Sequence, residues 1–472
     1  YHRGSLAIDS GLYESADTGY GKPHHLNYNR RTIAHNTLLI EDPAEVLTLA
    51  GRPIANDGGQ RAIEGAMTLE DFWAGHPRTG RVLAHHAGPN PQTPAVSLIK
   101  GDLTAAYSDT KARRVTRTMA FFPLANPDAP AALVILDQLT TTLPEQRQVS
   151  LLHTIEEPAI SGNVVTVHRT GPQMELLRWP SSPVVTEPDG IRTVFAHPVP
   201  EVVELRRAEL WIPTRWALER PRVLLNGRPV ELSTTSGAAL IANVTTIVAA
   251  TIADQRPLEL RLEGSGARDA LKAFVGPEAP HLRLWSEVAP ARGKLVQTTL
   301  LPGAGAAEII KVGGPGREFL AGGQNWEATP LHPPPFGGEE EGVWRVEVRT
   351  SAPTSQARFL QVYQVGDSEA TLDAVRVVQG HGTVGASLAG RVLVASSEGD
   401  WLGDGAEFDL TSTDIESGSD TALVTLTDLP VGDHSLWRDG RIAGAIAVEA
   451  PSHTWVVRLR PGRYVLRSKL AP

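Results

Sequence analysis

Apolar positions recur along this chain in runs of strand length, separated by turn-forming residues. Runs that alternate with polar residues, or are apolar throughout, predict strands at 36–40, 115–122, 132–139, 149–153, 164–168, 295–301, 343–348 and 358–365. A further strand-like run, Ser5 to Asp9, stands near the start of the chain. The pattern predicts a nearly all-β protein whose main body is two large antiparallel sheets packed face to face.

The texture of the sequence changes twice along the chain. A Pro-rich entry and an Asn226-Gly227 pair between two apolar runs predict an inserted β module that contains a hairpin. After Gly380, turns rich in Ser, Gly and Asp separate short strands and predict a small terminal β domain. Helices should be few, with Ala267 to Phe274 the best candidate. The predicted division is sandwich 1–172, inserted module 173–287, second sandwich part 288–379 and terminal domain 380–472.

Composition narrows the classes of function. The 472 residues include 44 Gly and 36 Pro, which suits short strands joined by frequent turns. A formal net charge of -9 argues against a nucleic-acid partner, although a local basic cleft could still hold an anionic sugar. No apolar run is long enough to cross a bilayer, so no membrane partner is expected. The lack of Cys removes disulfides and thiolate metal sites and leaves the compartment open.

The first fifty residues hold an unusual density of polar and aromatic side chains. Polar groups gathered in a cleft are the usual material of binding and catalysis. A long solvated loop would have the same composition, so composition alone leaves both interpretations open. The side chains concerned are Asp9, Tyr13, Asp17, Tyr20, Lys22, His24, His25, Asn27, Tyr28, Arg30, Arg31, His35 and Asn36.

Asp9 and His35 are the candidates for a metal site. Asp9 ends one predicted strand and His35 precedes another, so the two side chains could lie side by side. A carboxylate and an imidazole are ligands that Zn²⁺ accepts. Two ligands are too few for zinc, however, and an Asp/His pair is more often a hydrogen-bonded structural pair. The residues alone leave both hypotheses standing.

Several blocks of sequence resemble the heparinase II/III family of polysaccharide lyases. The first block comprises 6–13, 27–40 and Asp42-Pro43, and it joins a strand, a long loop and a second strand. The resemblance continues in 151–158, 293–295, 300–302 and 311–319, and covers about 1–170 and 290–370. It implies a β-sandwich (supersandwich) packed against an N-terminal α/α toroid. The chain opens at Tyr1 without an initiator Met, so we expect the toroid in a part that precedes it.

The resemblance also implies a set of site residues. Asp9 and His35 match the zinc-ligand positions, and the third ligand belongs to a His-x-His element just before Tyr1. Tyr13 and Tyr20 match positions that face the sugar. The main acid and base residues of the family lie in the toroid and the His-x-His element, so no catalytic residue is assigned within this chain. The zinc is expected to be structural, because an elimination needs no metal-bound hydroxide.

Cationic side chains near these positions suit an acidic sugar. Arg30 and Arg31 could recognise carboxylate or sulfate groups, and the alternative is that they are surface charges without a ligand. For Lys22 a surface charge is the favoured interpretation. The predicted substrate-binding set is therefore Tyr13, Tyr20, Arg30 and Arg31.

The preferred function is β-elimination of uronic-acid polysaccharides by a secreted or periplasmic lyase. Heparin or heparan sulfate is the first substrate, with hyaluronan, chondroitin or alginate as others. Expected partners are the anionic polysaccharide and the missing toroid, and a homodimer is one arrangement open to the chain. The rival hypothesis is a noncatalytic carbohydrate-binding or scaffold β-sandwich. A hydrolase is disfavoured, because no carboxylate pair or Gly-x-Ser-x-Gly turn stands out.

Overall fold

A computed structural model describes most of the chain. The described residues are 5–12, 19–49, 51–62, 68–74, 79–169, 171–180, 185–187, 190–195, 204–213, 219–235, 239–254, 256–265, 280–329 and 341–470. Within these ranges, helices are too short or too polar for any of them to traverse a lipid bilayer.

Strands dominate the described structure. The first ten are β1 (Leu38–Glu41), β2 (Leu47–Leu49), β3 (Arg52–Ile54), β4 (Arg81–Gly88), β5 (Val96–Asp102), β6 (Ala112–Pro123), β7 (Ala131–Thr141), β8 (Arg147–Thr154), β9 (Ala159–Ser161) and β10 (Val164–His168). The next ten are β11 (Gly171–Pro180), β12 (Val185–Glu187), β13 (Gly190–Phe195), β14 (Glu204–Pro213), β15 (Glu219–Leu225), β16 (Arg228–Val230), β17 (Ser233–Thr235), β18 (Ala239–Asn243), β19 (Leu258–Ser265) and β20 (His281–Ala291). They are followed by β21 (Gly293–Leu301), β22 (Ala307–Gly313), β23 (Leu320–Ala321), β24 (Gln324–Asn325), β25 (Trp344–Thr350) and β26 (Gln356–Asp367). The last are β27 (Arg376–Gly380), β28 (Thr383–Leu388), β29 (Arg391–Ser396), β30 (Glu407–Leu410), β31 (Ala422–Leu426), β32 (Gly432–Arg438), β33 (Arg441–Val448), β34 (Trp455–Leu459) and β35 (Gly462–Leu470).

Helical structure is short. The α-helices are α1 (Leu69–Trp73) and α2 (Thr245–Ala253). One π-helical turn spans His25–Asn29, and 3-10 turns span Thr32–Ala34, Thr104–Ala106 and Ser412–Asp414.

The main body is a two-sheet sandwich. A four-stranded sheet in the order β1-β8-β25-β22 faces an eight-stranded sheet in the order β4-β5-β6-β7-β26-β21-β10-β9. Leu38, Leu152 and Val346 of the small sheet pack with Val115 and Phe359 of the large one in the core between them. A second cluster, which includes Leu39 and Leu151, lies on the outer face of the small sheet. Because both of its faces are covered, β8 is buried at seven of its eight positions.

Residues 171–291 build two further five-stranded sheets. Their orders are β11-β20-β14-β18-β17 and β12-β13-β19-β15-β16, and they enclose a core of their own with α2 packed against it. The predicted hairpin at Asn226-Gly227 is confirmed. Leu225 pairs with Arg228, and φ of 48° and 74° at the two turn residues is the left-handed conformation that this tight turn requires.

Residues 376–470 form a pair of sheets that also covers the sandwich. The orders are β27-β28-β29-β31-β34 and β30-β35-β32-β33, with an apolar core between them. Val384 and Leu393 of β28 and β29 pack against Val134 and Leu360 on the outer face of the eight-stranded sheet. The two parts are therefore joined by a continuous buried apolar layer.

The structure confirms the predicted all-β class and corrects details. The eight longer runs all lie largely within observed strands. The run Ser5 to Asp9 is not a strand, because it makes an isolated backbone bond from Ile8 N to His153 O (3.2 Å) instead of a ladder. The helices α1 and α2 were not predicted, and the predicted helix at 267–274 lies outside the described residues. The four-part division of the chain stays a prediction.

Candidate functional site

Asp9 and His35 contact each other. His35 Nδ1 lies 2.9 Å from Asp9 Oδ2, and the two side chains are 34% and 57% exposed. Backbone bonds align the segments that carry them, since Ser10 N donates to Ala34 O at 2.8 Å. Asn36 reinforces the arrangement by donating from Nδ2 to Ile8 O (3.3 Å) and accepting at Oδ1 from His153 N (2.7 Å). Asn36 and the backbone bond between Ser10 and Ala34 thus hold the pair just before the start of β1.

Charge stabilises the Asp9 carboxylate. The hydrogen bond with His35 lowers the pKa of Asp9, and burial opposes this shift without reversing it. An ionised Asp9 beside an imidazole is the donor set that a divalent cation would use.

His153 is a second imidazole close to this pair. It is fully buried, and among the described residues neither ring nitrogen makes a hydrogen bond of normal geometry, the backbone of Ile33 being the one group that interacts weakly with the ring. Burial, followed by the positive charge of Arg345, lowers its pKa to about 3, so the ring is neutral at pH 7. A buried imidazole with so little hydrogen bonding is uncommon and marks this place in the fold.

The fit of the residues to zinc can be tested on this geometry. Asp9 and His35 supply a carboxylate oxygen and an imidazole nitrogen at one point, as a shared ligand pair would. Across the described ranges, no group of three or more His, Asp or Glu side chains is placed to hold a metal ion. The described residues therefore bring together two groups of a kind that zinc accepts, which is fewer than the three protein ligands a zinc site needs.

Other polar residues of this region hold the loop in place. His24 is buried, accepts at Nε2 from Leu12 N (3.0 Å) and lies 2.5 Å at Nδ1 from Trp326 O. Burial lowers the pKa of His24, which keeps the ring neutral for these bonds. Tyr28 is also buried, with its hydroxyl 2.9 Å from Ser10 Oγ, and its ring packs on Phe319. These contacts attach the loop to the outer face of the small sheet.

Arg30 and Arg31 have opposite environments. Arg30 is exposed. Arg31 is buried and donates from Nη2 to Asp57 Oδ1 (2.7 Å) and to Gln60 O (2.8 Å). Asp57 in turn accepts from Ile33 N at 3.2 Å, so the pair fixes the turn before β1. The geometry favours a structural role for Arg31 and leaves Arg30 as the arginine that a ligand could reach.

Two further exposed side chains, Tyr20 and Lys22, lie on the same loop as Arg30. Tyr20 is 96% exposed, and its ring meets His25 edge-on with centroids 5.0 Å apart. Burial, with a further contribution from the charge of Arg30, lowers the pKa of His25. Lys22 is exposed on the same loop. Tyr13, the other predicted sugar contact, lies outside the described residues.

Comparison with known proteins yields only remote likenesses among solved structures. No family model matches the chain, and no curated protein matches it. Among solved structures, a mutant of the heparan sulfate lyase HepC from Pedobacter heparinus is similar, with a TM-score of 0.21 and 8% sequence identity. The alignment covers 74% of this chain and 35% of that one, so the chain spans about a third of that protein's length. A likeness at this level carries no argument about the function of the chain.

Sequence reasoning overlooked His153. It lies in the block 151–158 that carries the resemblance, at the end of a strand that was predicted. A histidine within an apolar run was a usable signal, because a buried imidazole requires partners or a function. What the sequence could not show is that β8 pairs with β1 and bonds to Ile8 beside Asp9, since strand order is set by tertiary pairing.

Proposed function

We propose that this chain is part of a polysaccharide lyase that cleaves uronic-acid polysaccharides, heparin or heparan sulfate first, by β-elimination. The observation that carries the proposal is the 2.9 Å contact between Asp9 Oδ2 and His35 Nδ1, at the two positions that the sequence resemblance assigns to zinc. Support comes from residues far apart in sequence that meet as the resemblance requires.

The chemistry makes three demands on the protein. The substrate carboxylate must be neutralised, the C5 proton must be removed by a base, and the leaving glycosidic oxygen must be protonated. The C5–H and C4–O bonds break while a C4=C5 double bond forms. In this chain, the exposed guanidinium of Arg30 suits the first demand, and the exposed Tyr20 offers a ring face or a hydroxyl to the sugar. The base belongs to the preceding toroid in this proposal.

Zinc would be held by Asp9 and His35 with a third ligand from the part before Tyr1. When bound, it supplies a cross-link between the segment around Asp9 and the turn before β1. Asp9 and His35 then fix the ends of the loop that carries Tyr20 and Arg30, and this positioning is their contribution. A polysaccharide substrate places the protein in the periplasm or outside the cell in this proposal.

The test uses the full-length protein and a panel of uronic-acid polysaccharides. Product formation is followed by the absorbance of the unsaturated uronate, and bound zinc is measured by elemental analysis of the same samples. Asp9→Ala and His35→Ala should lower zinc affinity and activity by at least about tenfold. Asp420→Ala and His168→Ala replace exposed residues elsewhere and should change neither.

Two results would count against the proposal. If no polysaccharide yields an unsaturated product, the chain is not part of a lyase, and a noncatalytic sugar-binding protein takes its place. If native protein carries no zinc and folded Asp9→Ala retains full activity, the metal role of the pair is rejected.

A further inference from the structure

A groove separates the sandwich from the terminal domain at one end of their shared apolar layer. It encloses about 400 Å³ and lies between strands β4 to β6 and the loop that follows β29. Asp102, Thr116 and Arg114 line it from the outer face of the eight-stranded sheet, and Asp400 and Trp401 line it from the terminal domain. None of these residues belongs to the candidate site at Asp9.

The groove is locally positive in a negatively charged chain. Four cationic side chains line it against three carboxylates, which gives a net charge of +1 where the whole chain has -9. The cations are Arg81, Lys100, Arg113 and Arg114, and the carboxylates are Asp102, Asp400 and Asp428. A cleft of this sign concentrates anions even on an acidic protein.

The arginines of the groove are available to a ligand. Arg114, whose side chain is 25% exposed, pairs at 3.1 Å with Asp400, which is 76% exposed. Arg81 lies 3.5 Å from Asp102 and is itself 73% exposed. An exposed pair such as that of Arg81 contributes at most about 1 kcal/mol, so this guanidinium exchanges partners readily. Arg113 is exposed and forms no ion pair with any residue that the structure describes.

The floor of the groove is rigid and holds an unused polar group. Lys100 Nζ donates to Asp428 Oδ1 (2.6 Å) and to Gly399 O (3.1 Å), and both charged side chains are buried. Thr116 is 4% exposed, and its hydroxyl has no hydrogen-bond partner among the residues placed in the structure. A buried hydroxyl in the wall of an open groove is a ready donor or acceptor for a ligand.

One wall of the groove carries an exposed aromatic ring. Trp401 is 52% exposed although Trp is normally well covered. The ring centroids of Trp401 and His453 are 4.6 Å apart, so His453 supports the indole from within the same pair of sheets. A fixed indole face beside guanidinium groups is a combination that binds the apolar face of a sugar ring and its acidic substituent together.

We infer that this groove binds an acidic saccharide unit, with Trp401 against the ring and Arg113 and Arg114 on its carboxylate or sulfate group. The site is separate from the proposed catalytic region and would hold a distant part of a long chain. The choice of heparan sulfate as the probe rests on the proposed function, whereas the groove itself does not.

The experiment measures binding of a labelled, size-defined heparan sulfate oligosaccharide to the 472-residue chain by fluorescence anisotropy. Asp9→Ala is the common background, so that cleavage and binding at the candidate site are reduced in every sample. Trp401→Ala and Arg113→Ala should each weaken binding by about three- to tenfold. Trp73→Ala and Arg441→Ala remove an exposed Trp and an exposed Arg elsewhere and serve as matched controls.

A second readout locates the ligand directly. Phenylglyoxal modification of arginine, mapped by peptide mass spectrometry, should slow at Arg113 when the oligosaccharide is bound and should be unchanged at Arg441. The carboxyl-reduced, desulfated oligosaccharide should neither bind as tightly nor protect Arg113.

The inference is overturned if the Trp401 and Arg113 variants bind like their controls, if Arg113 gains no protection, or if the neutral oligosaccharide binds equally well. Failure of the proposed lyase function has a different signature, because it would abolish unsaturated products while leaving protection of Arg113 intact.

Discussion

The buried ion pair between Lys100 and Asp428 ties the sheets of 376–470 to the sandwich. The two groups are 2.6 Å apart, and their side chains are 4% and 2% exposed. Asp428 also accepts from Ser396 N at 3.0 Å, which connects the pair to the end of β29. Lys100→Met removes the cation with little change in volume. It leaves the buried Asp428 carboxylate without its cation. Burial raises the pKa of Asp428, and Lys100 is the main group that opposes this rise.

The expected cost of Lys100→Met is about 3–5 kcal/mol, the usual penalty for leaving one buried charge without its partner. Asp428→Asn should cost a similar amount because it leaves Lys100 charged and buried. Asn tolerates the φ of 64° at this position, so backbone strain does not add to the effect. The double variant contains neither charge and should recover about 2 kcal/mol or more of the summed losses.

Urea denaturation followed by circular dichroism gives the free energy of unfolding, and hydrogen exchange of the β29 peptide reports the local effect. Arg460→Met breaks the exposed pair with Asp420, which has almost the same separation of 2.7 Å with side chains 67% and 70% exposed. It should cost less than about 1 kcal/mol. If Lys100→Met falls within that range, or if the single losses simply add in the double variant, the attribution to a desolvated charge pair is wrong.

Two further predictions concern the candidate site. His153 has its pKa lowered to about 3 by burial, below the unfolded value of about 6.5. The stability it contributes is therefore complete above pH 6.5 and is lost as pH falls, by about 2 kcal/mol between pH 7 and pH 5. Urea titrations at both pH values give the drop in unfolding free energy from pH 7 to pH 5 for each protein. This drop should be about 2 kcal/mol smaller in His153→Leu than in the unsubstituted protein, and an equal drop in the two would contradict a neutral buried ring. Arg31→Met should lower stability by about 3–5 kcal/mol through the unpaired Asp57 while Arg30→Ala leaves it unchanged, so equal melting behaviour of the two variants would refute their contrasting assignments.

Much of the fold was predictable because burial leaves a clear trace in strands. The run at 149–153 does not alternate between apolar and polar residues. This agrees with β8, which is covered on one face by the sandwich core and on the other by the site loops. The Asn226-Gly227 turn was equally readable, since few residue pairs adopt its backbone conformation without strain.

The two α-helices show where the pattern was insufficient. The sequence of α2 is rich in Thr, Ile and Val, which favours a strand by intrinsic preference. Packing of Val248 into the core of the inserted module overrides that preference, and Asn243 Oδ1 accepts from Thr245 N at the start of the helix. In contrast, α1 carried a visible signal. Thr68 and Asp71 form a reciprocal capping box, which is a recognisable helix start.

For the site, the sequence indicated which residue types gather but not which way they face. Asp9 and His35 meet, as their positions before and after a loop suggested. The adjacent residues Arg30 and Arg31 face solvent and interior respectively. Asp57 accepts from Ile33 N in the 3-10 turn at Thr32–Ala34, and this buried carboxylate needs a cation, which Arg31 provides. A single sequence cannot assign those orientations, since Asp57 lies far along the chain and becomes a partner only after folding.

The density of polar residues in the first fifty positions therefore has two physical origins. A loop laid on the outer face of a sheet buries backbone groups that no ladder can satisfy. His24 accepts from Leu12 N, Tyr28 donates to Glu318 O and Arg31 donates to Gln60 O, so these side chains supply the missing hydrogen bonds. Such residues are fixed by the fold and would be needed even without a ligand. Tyr20 and Arg30 satisfy no such requirement, because the first is almost fully exposed and the second lies in solvent. An aromatic ring and a cation that the fold does not use are the side chains on which a search for substrate contacts should concentrate.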